Sequence, residues 1–227
     1  MHRKMRCFAV LAAAISLFCA LIPGVDRAEA ASRVPLDSVQ ITRSVLATAD
    51  AANAEKQEND TLIAQIKNTY KAAQKRARRK SFKGKCGAYV NHQLVILGIN
   101  TKYIGANGNR EFDIYSKLKA STGGFAVHAY GAKKYSLQSA LEAIVREDPH
   151  ARNILVGFQK GTSQAGKKYG HTLLIHGIEN GKVYFSDSFA QTVDGKSYKE
   201  GAPIVCSIAV FCKLYRKYKL DGVIWFS

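Results

Sequence analysis

The sequence of 227 residues predicts an α+β fold, and three observations lead there. Apolar residues at helical spacing dominate the N-terminal half. Short apolar runs bounded by turn residues dominate the C-terminal half. An Asn-Gly pair joins two of those runs as a hairpin. Helices first and a mostly antiparallel sheet afterwards is the α+β arrangement. Hydrophobic residues at 47% and charged residues at 22% match a soluble globular chain. The length suits one domain with a sizeable core.

Residues 1–30 read as an export signal. Arg3, Lys4 and Arg6 precede an apolar stretch from Cys7 to Ile22. Pro23 and Gly24 break that stretch, and Ala28-Glu29-Ala30 places small residues where a signal peptidase cuts. Cleavage near Ala30 is expected, giving a secreted or cell-envelope protein with no transmembrane segment after signal removal. The stretch is short for a membrane span, which needs roughly 20 residues.

Residues 31–60 are rich in Ala, Asp, Asn and Ser and read as a linker or propeptide-like segment, with weak helix at Val39–Ala54. Asp60 is a candidate cap for a helix beginning at Thr61. Leu62, Ile66, Tyr70 and Ala73 share one face of it, so 61–80 is expected to be a basic amphipathic helix. Residues 81–227 are expected to form the main domain. A second helix begins at Cys86, with Cys86, Tyr89, Val90, Leu94 and Leu97 in a stripe and Gly98 as its stop. A third is expected at Arg110–Ala120 and a fourth at Leu137–Glu147. Asn153–Gln159 reads as a strand and Gly161–Gly170 as a loop. Strands at His171–Ile178 and Lys182–Ser188 flank Glu179-Asn180-Gly181. A last helix, Ser207–Tyr218, precedes a strand at Gly222–Phe226.

Charge narrows the partners. Lys and Arg number 34 against 17 Asp and Glu, a net charge of +17. Such a surface favours anionic partners, among them nucleic acid, anionic lipid and cell-wall polymers. Lys75, Arg76, Arg78, Arg79, Lys80, Lys83 and Lys85 form a block without an acid. It reads equally as a solvated helix end or as a grip on an anionic polymer. No nucleic-acid recognition motif is present. No motif with metal-ligand spacing and no phosphate-cradling glycine loop appears, so neither a metal nor a cofactor is expected.

The cysteines point to chemistry. Loss of residues 1–30 leaves Cys86, Cys206 and Cys212. Cys206 and Cys212 could pair or be two buried thiols; in either case Cys86 is the odd one, and an unpaired thiol outside the cell calls for a reason. At a helix N-terminus, Cys86 would have its pKa lowered by the partial positive charge there. The free N–H groups of that turn could also receive a developing oxyanion. His171, at the mouth of a strand after a flexible loop, is the candidate base. His92 points away round the helix, His176 lies on the opposite strand face, and His128 and His150 have no supporting pattern. Asp187 is the candidate orienter of the imidazole. A two-residue Asn180-Gly181 turn would set His171 on a face with Ser186 and Ser188. A three-residue loop would set it with Leu173, Ile175, Val183, Phe185 and Asp187. The second face suits a sheet packed on the Cys86 helix, so the three-residue loop is expected.

These segments resemble a known family. Gly-Lys-Cys-Gly-Ala-Tyr-Val at 84–90 is similar to the nucleophile segment of the CHAP and NlpC-type branches of the papain-like hydrolases. Gly-His-Thr-Leu-Leu-Ile at 170–175 and Val-Tyr-Phe-Ser-Asp-Ser at 183–188 resemble their histidine strand and the strand after it. The resemblance covers about residues 80–190. It implies a papain-like fold with Cys86 as nucleophile, His171 as general base and Asp187 as orienter. It also implies peptidoglycan as substrate, cut by an amidase or endopeptidase. No side-chain donor upstream of Cys86 is apparent for a second oxyanion contact. Two other readings use the same fold: a basic cell-wall binder without turnover, and a secreted effector that cuts or modifies a protein.

Overall fold

The computed structural model describes residues 36–99, 124–162 and 168–227. The expected export signal, the Arg110–Ala120 helix and the centre of the Gly161–Gly170 loop lie outside these residues. Two units divide the chain, Met1–Glu55 and Lys56–Ser227. Among the described residues no helix is long and apolar enough to cross a membrane.

In chain order the elements are α1 (Leu36–Ala77), α2 (Cys86–Ile96), β1 (Val127–Gly131), α3 (Leu137–Glu147), β2 (Arg152–Thr162), β3 (Lys168–Glu179), β4 (Lys182–Ser186), β5 (Gln191–Val193), β6 (Lys196–Tyr198), β7 (Ile204–Ser207), α4 (Ile208–Tyr215) and β8 (Leu220–Phe226). The expected linker at 31–60 is therefore helix from Leu36 onward, and Asp60 sits inside α1 instead of capping it. Ala-rich composition with Glu, Lys and Gln favours helix strongly enough to need no cap there. From Lys56 onward α1 buries Leu62, Ile66 and Ala73, the stripe read from the sequence.

Six strands form one sheet in the order β1-β8-β2-β3-β4-β7, and every pairing is antiparallel. β5 and β6 make a separate ribbon. The fold is α+β, with helices on both faces of the sheet. One face presents Ile154, Val156, Leu173, Ile175, Val183 and Phe185 to Leu141 and Ile144 of α3 and Phe211 and Tyr215 of α4. The other presents Leu155, Leu174, Ile224 and Phe226 to Val90 and Leu94 of α2. Each such aliphatic side chain, fully buried, contributes about 1.5–3 kcal/mol.

The β3–β4 hairpin departs from expectation in an instructive way. Glu179 pairs with Lys182, and Asn180 and Gly181 both have positive φ (49° and 71°), so the turn is the two-residue kind. By itself that register would separate His171 from Asp187. The register shifts between Ile175 and Gly177, leaving His176 as an extra residue, and beyond it Leu174 pairs with Ser186. This bulge restores the face shared by His171 and Asp187. That face does not cover α2, as expected from the sequence, but packs on α3 and α4.

Candidate active site

Cys86 is the first residue of α2. The segment before it runs Arg78–Lys85, held by Glu200: its carboxylate accepts from Tyr70 OH (3.1 Å), Ser81 OH (2.5 Å) and the Phe82 N–H. Gly201, with φ +70°, follows; a Cβ there would lie 2.2 Å from the Tyr70 ring, so only glycine lets these parts close. The N-cap Lys85 provides no side-chain cap. The first ladder bond is Tyr89 N–H to the Lys85 carbonyl (2.9 Å), so the helix takes none of the N–H groups of Cys86, Gly87 and Ala88. By contrast α3, which carries no site residue, opens with a full capping box of Ser136 and Ser139. Among the described residues, a Cβ on Gly87 would meet nothing within 4 Å.

His171 lies within β3, not at its mouth, because β2 and β3 stay paired as far as Thr162 and Lys168. Its ring is almost wholly buried among Phe158 (centroids 6.4 Å apart), Tyr215 (5.9 Å), Tyr218 (5.7 Å) and Phe189 (5.4 Å). Nε2 and Asp187 Oδ2 are 3.1 Å apart, which commits that nitrogen to the carboxylate. Nδ1 is buried and makes no hydrogen bond of ordinary geometry, and it is the nitrogen left for the sulfur. β4 leaves β3 after Ser186, so the sheet has a gap beside residues 171–173. Cys86 at the N-terminus of α2 comes up to β3 beside His171 and Thr172, although Val90 and Leu94 of α2 pack on the face opposite His171. The Thr172 and Gly87 N–H groups lie close enough to the sulfur to favour its charged form.

The electrostatics couple the three groups. Burial raises the Cys86 pKa, but the imidazole of His171 and those two N–H groups outweigh it and hold the thiol below its ordinary value. Burial pulls His171 down, while Asp187 and Cys86 more than compensate and push it up to about 9. Burial also raises Asp187, and His171, Tyr215 OH and the Phe189 N–H together lower it. A thiol shifted down beside an imidazole shifted up favours the thiolate–imidazolium pair, which titrates as a unit.

Asp187 is fixed by more than the histidine. Oδ2 accepts from Tyr215 OH (2.5 Å) and Gln191 Nε2 (2.7 Å), and Oδ1 from the Phe189 N–H (3.0 Å). Neither Tyr215 nor Gln191 is among the site residues expected from the sequence. The spacing of Phe211, Tyr215 and Tyr218 on one helical face was the available signal for the first; none existed for the second. Beneath α2, Tyr89 OH and Ser186 Oγ are 2.7 Å apart. Gln93 Nε2 lies 3.3 Å from Ser186 Oγ and 3.0 Å from His176 Nε2, tying the Cys86 helix to the strand that leads into Asp187.

The remaining groups lie apart. His92 contacts Phe82, and His128 stacks on Trp225 (4.7 Å). Cys206 and Cys212 are free thiols; burial, chiefly, pushes them up to about 12 and about 11. Glu58, His150 and Glu179 bring ligand atoms within 4.8 Å of one another, a grouping no sequence motif announced. Arg152 donates to both Glu58 (2.8 Å) and Glu179 (2.9 Å), so the guanidinium already supplies the positive charge a cation would bring. That cluster reads as a structural ion-pair network.

No protein-family model matches the chain, and no curated protein sequence does. Among solved structures, the Pseudomonas avirulence protein AvrPphB is similar at a TM-score of 0.29 and 10% identity, over 74% of this chain and 90% of that one. A likeness of that size is too slight to argue from.

Proposed function

We propose that this chain is an exported cysteine-nucleophile amide hydrolase of papain-like architecture, an amidase or endopeptidase of the CHAP or NlpC type acting on peptidoglycan. The observation that supports this most is the pairing of an uncapped helix N-terminus bearing Cys86 with a buried imidazole whose far nitrogen is bound to Asp187. In this reading the thiolate of Cys86 attacks the amide carbonyl carbon, and the carbonyl electrons move onto oxygen. The N–H groups opening α2 receive that oxyanion. The His171 imidazolium protonates the leaving nitrogen, the C–N bond breaks, and a thioester remains on Cys86. Water then gives its proton to His171 and attacks the thioester, releasing the acid and restoring the thiolate. Asp187 keeps the imidazole in one orientation throughout and steadies its charge.

The test is release of new amino groups from purified peptidoglycan. The parent chain is expected to release them. Cys86→Ala is expected to lower the rate by about six orders of magnitude, the scale typical of losing a nucleophile, with an unchanged melting temperature. Equal release by parent and variant would contradict the proposal.

A further inference from the structure

The basic turn that leads into Cys86 carries cations that no ion pair among the described residues engages; the carboxylate of Glu200 at the turn bonds Ser81 and Phe82. Lys75, Arg78, Arg79, Lys80, Lys83 and Lys85 are all exposed. The macrodipole accounts for Lys75 and Arg76 in the last turn of α1, and not for the cations beyond it. Gln74, Lys75, Arg78, Arg79 and Lys80 line a shallow hollow. Its shape is fixed: Arg79 N–H donates to the Gln74 carbonyl (3.0 Å), Gln74 Nε2 to the Lys80 carbonyl (2.5 Å), and Glu200 pins Ser81 and Phe82. Arg78 stands at φ 51°, a conformation glycine or asparagine would adopt more easily. The charge also reaches α2: burial, then Arg76 and Arg79, hold His92 below its ordinary pKa.

We propose that this turn is a docking surface for a linear phosphate-bearing polymer without bases, of the sugar-phosphate or polyol-phosphate class. The inference rests on the hydrolase reading to the extent that it names what brings the substrate to Cys86. Adjacent guanidinium forks suit phosphate oxygens, which they can bind bidentately. A bilayer fits less well, because a membrane-surface site also inserts apolar side chains. The large exposed hydrophobics among the described residues are Val45, Leu46 and Ile96, none of them in the turn. Nucleic acid fits less well too, since single strands stack their bases on exposed rings. Here Phe82 is buried and stacked on Tyr89 (5.0 Å). A surface on the segment that leads into the nucleophile, outside the reacting atoms, acts on substrate capture, so it governs KM and leaves kcat alone.

The experiment measures binding of the full chain to inorganic polyphosphate at low and raised salt. Arms with a single-stranded oligonucleotide and with phosphatidylglycerol vesicles run alongside. The parent is expected to prefer polyphosphate and to lose affinity steeply as salt rises. R78E/R79E is expected to weaken that binding at least tenfold, and R78Q/R79Q to weaken it less but in the same direction. Equal binding by parent and both variants, or a preference of the parent for the oligonucleotide or the vesicles, would overturn the proposal. Alkylation of Cys86 is read in the same samples. An inert thiol there counts against the hydrolase reading and not against this surface.

Discussion

At the scale of single residues, the argument turns on how Asp187 is held. Its carboxylate collects His171, Tyr215, Gln191 and the Phe189 N–H, so it stays ionised although buried. An asparagine there keeps the volume and loses the charge. Asp187→Asn is therefore expected to lower kcat by about two to four orders of magnitude and to raise the Cys86 thiol pKa. The rate of release and the pH dependence of Cys86 alkylation check this together; an unchanged thiol titration would show that Asp187 does not act through the imidazole. The three candidate residues were legible in the sequence because each stands next to a local signal: a helix start, a strand and a hairpin. Tyr215 and Gln191 were not. They reach the carboxylate from 28 and 4 positions further along, and tyrosine in an apolar helix usually means core.

At the scale of elements, the bulge at His176 decides whether His171 and Asp187 share a face. Without it, the Asn180-Gly181 turn would carry Asp187 to the face opposite His171. The sequence reading reached the correct shared face through the wrong device, a longer loop, because a bulge leaves no mark in an otherwise regular apolar run. It also assigned that face to α2, and could not foresee that α3 and α4 cover it while Cys86 meets the strand at its edge. His176 has a measurable consequence. Burial holds its pKa down to about 4, whereas unfolded histidine titrates near 6.5. Below about 6.5 the unfolded chain binds the proton first, so its contribution to stability is whole above that pH and falls as pH drops toward 4. The loss is on the order of 3 kcal/mol. Urea unfolding at pH 7 and pH 4.5 is expected to show a steeper drop for the parent than for His176→Gln. Equal drops would mean that the imidazole is not neutral in the fold.

At the scale of the whole molecule, one sheet joins the parts. α2 brings the sulfur from one face, α4 brings Tyr215 from the other, and β3 sets the imidazole between them. The class of fold could be read from the order of helical and strand patterns. The layering could not, because periodicity says that a strand is buried and not which helix buries it. The basic turn was visible as charge alone; its fixed shape depends on Glu200, more than a hundred residues away, and no local signal points there. The most direct test of the account is the rate of iodoacetamide labelling at Cys86, read on its own peptide as a function of pH. The other described thiols titrate far higher and stay silent near neutrality. The account predicts a labelling midpoint below the ordinary thiol value of about 8.5, returning toward that value in His171→Ala. A Cys86 that labels at the ordinary midpoint, whether or not His171 is present, would contradict it.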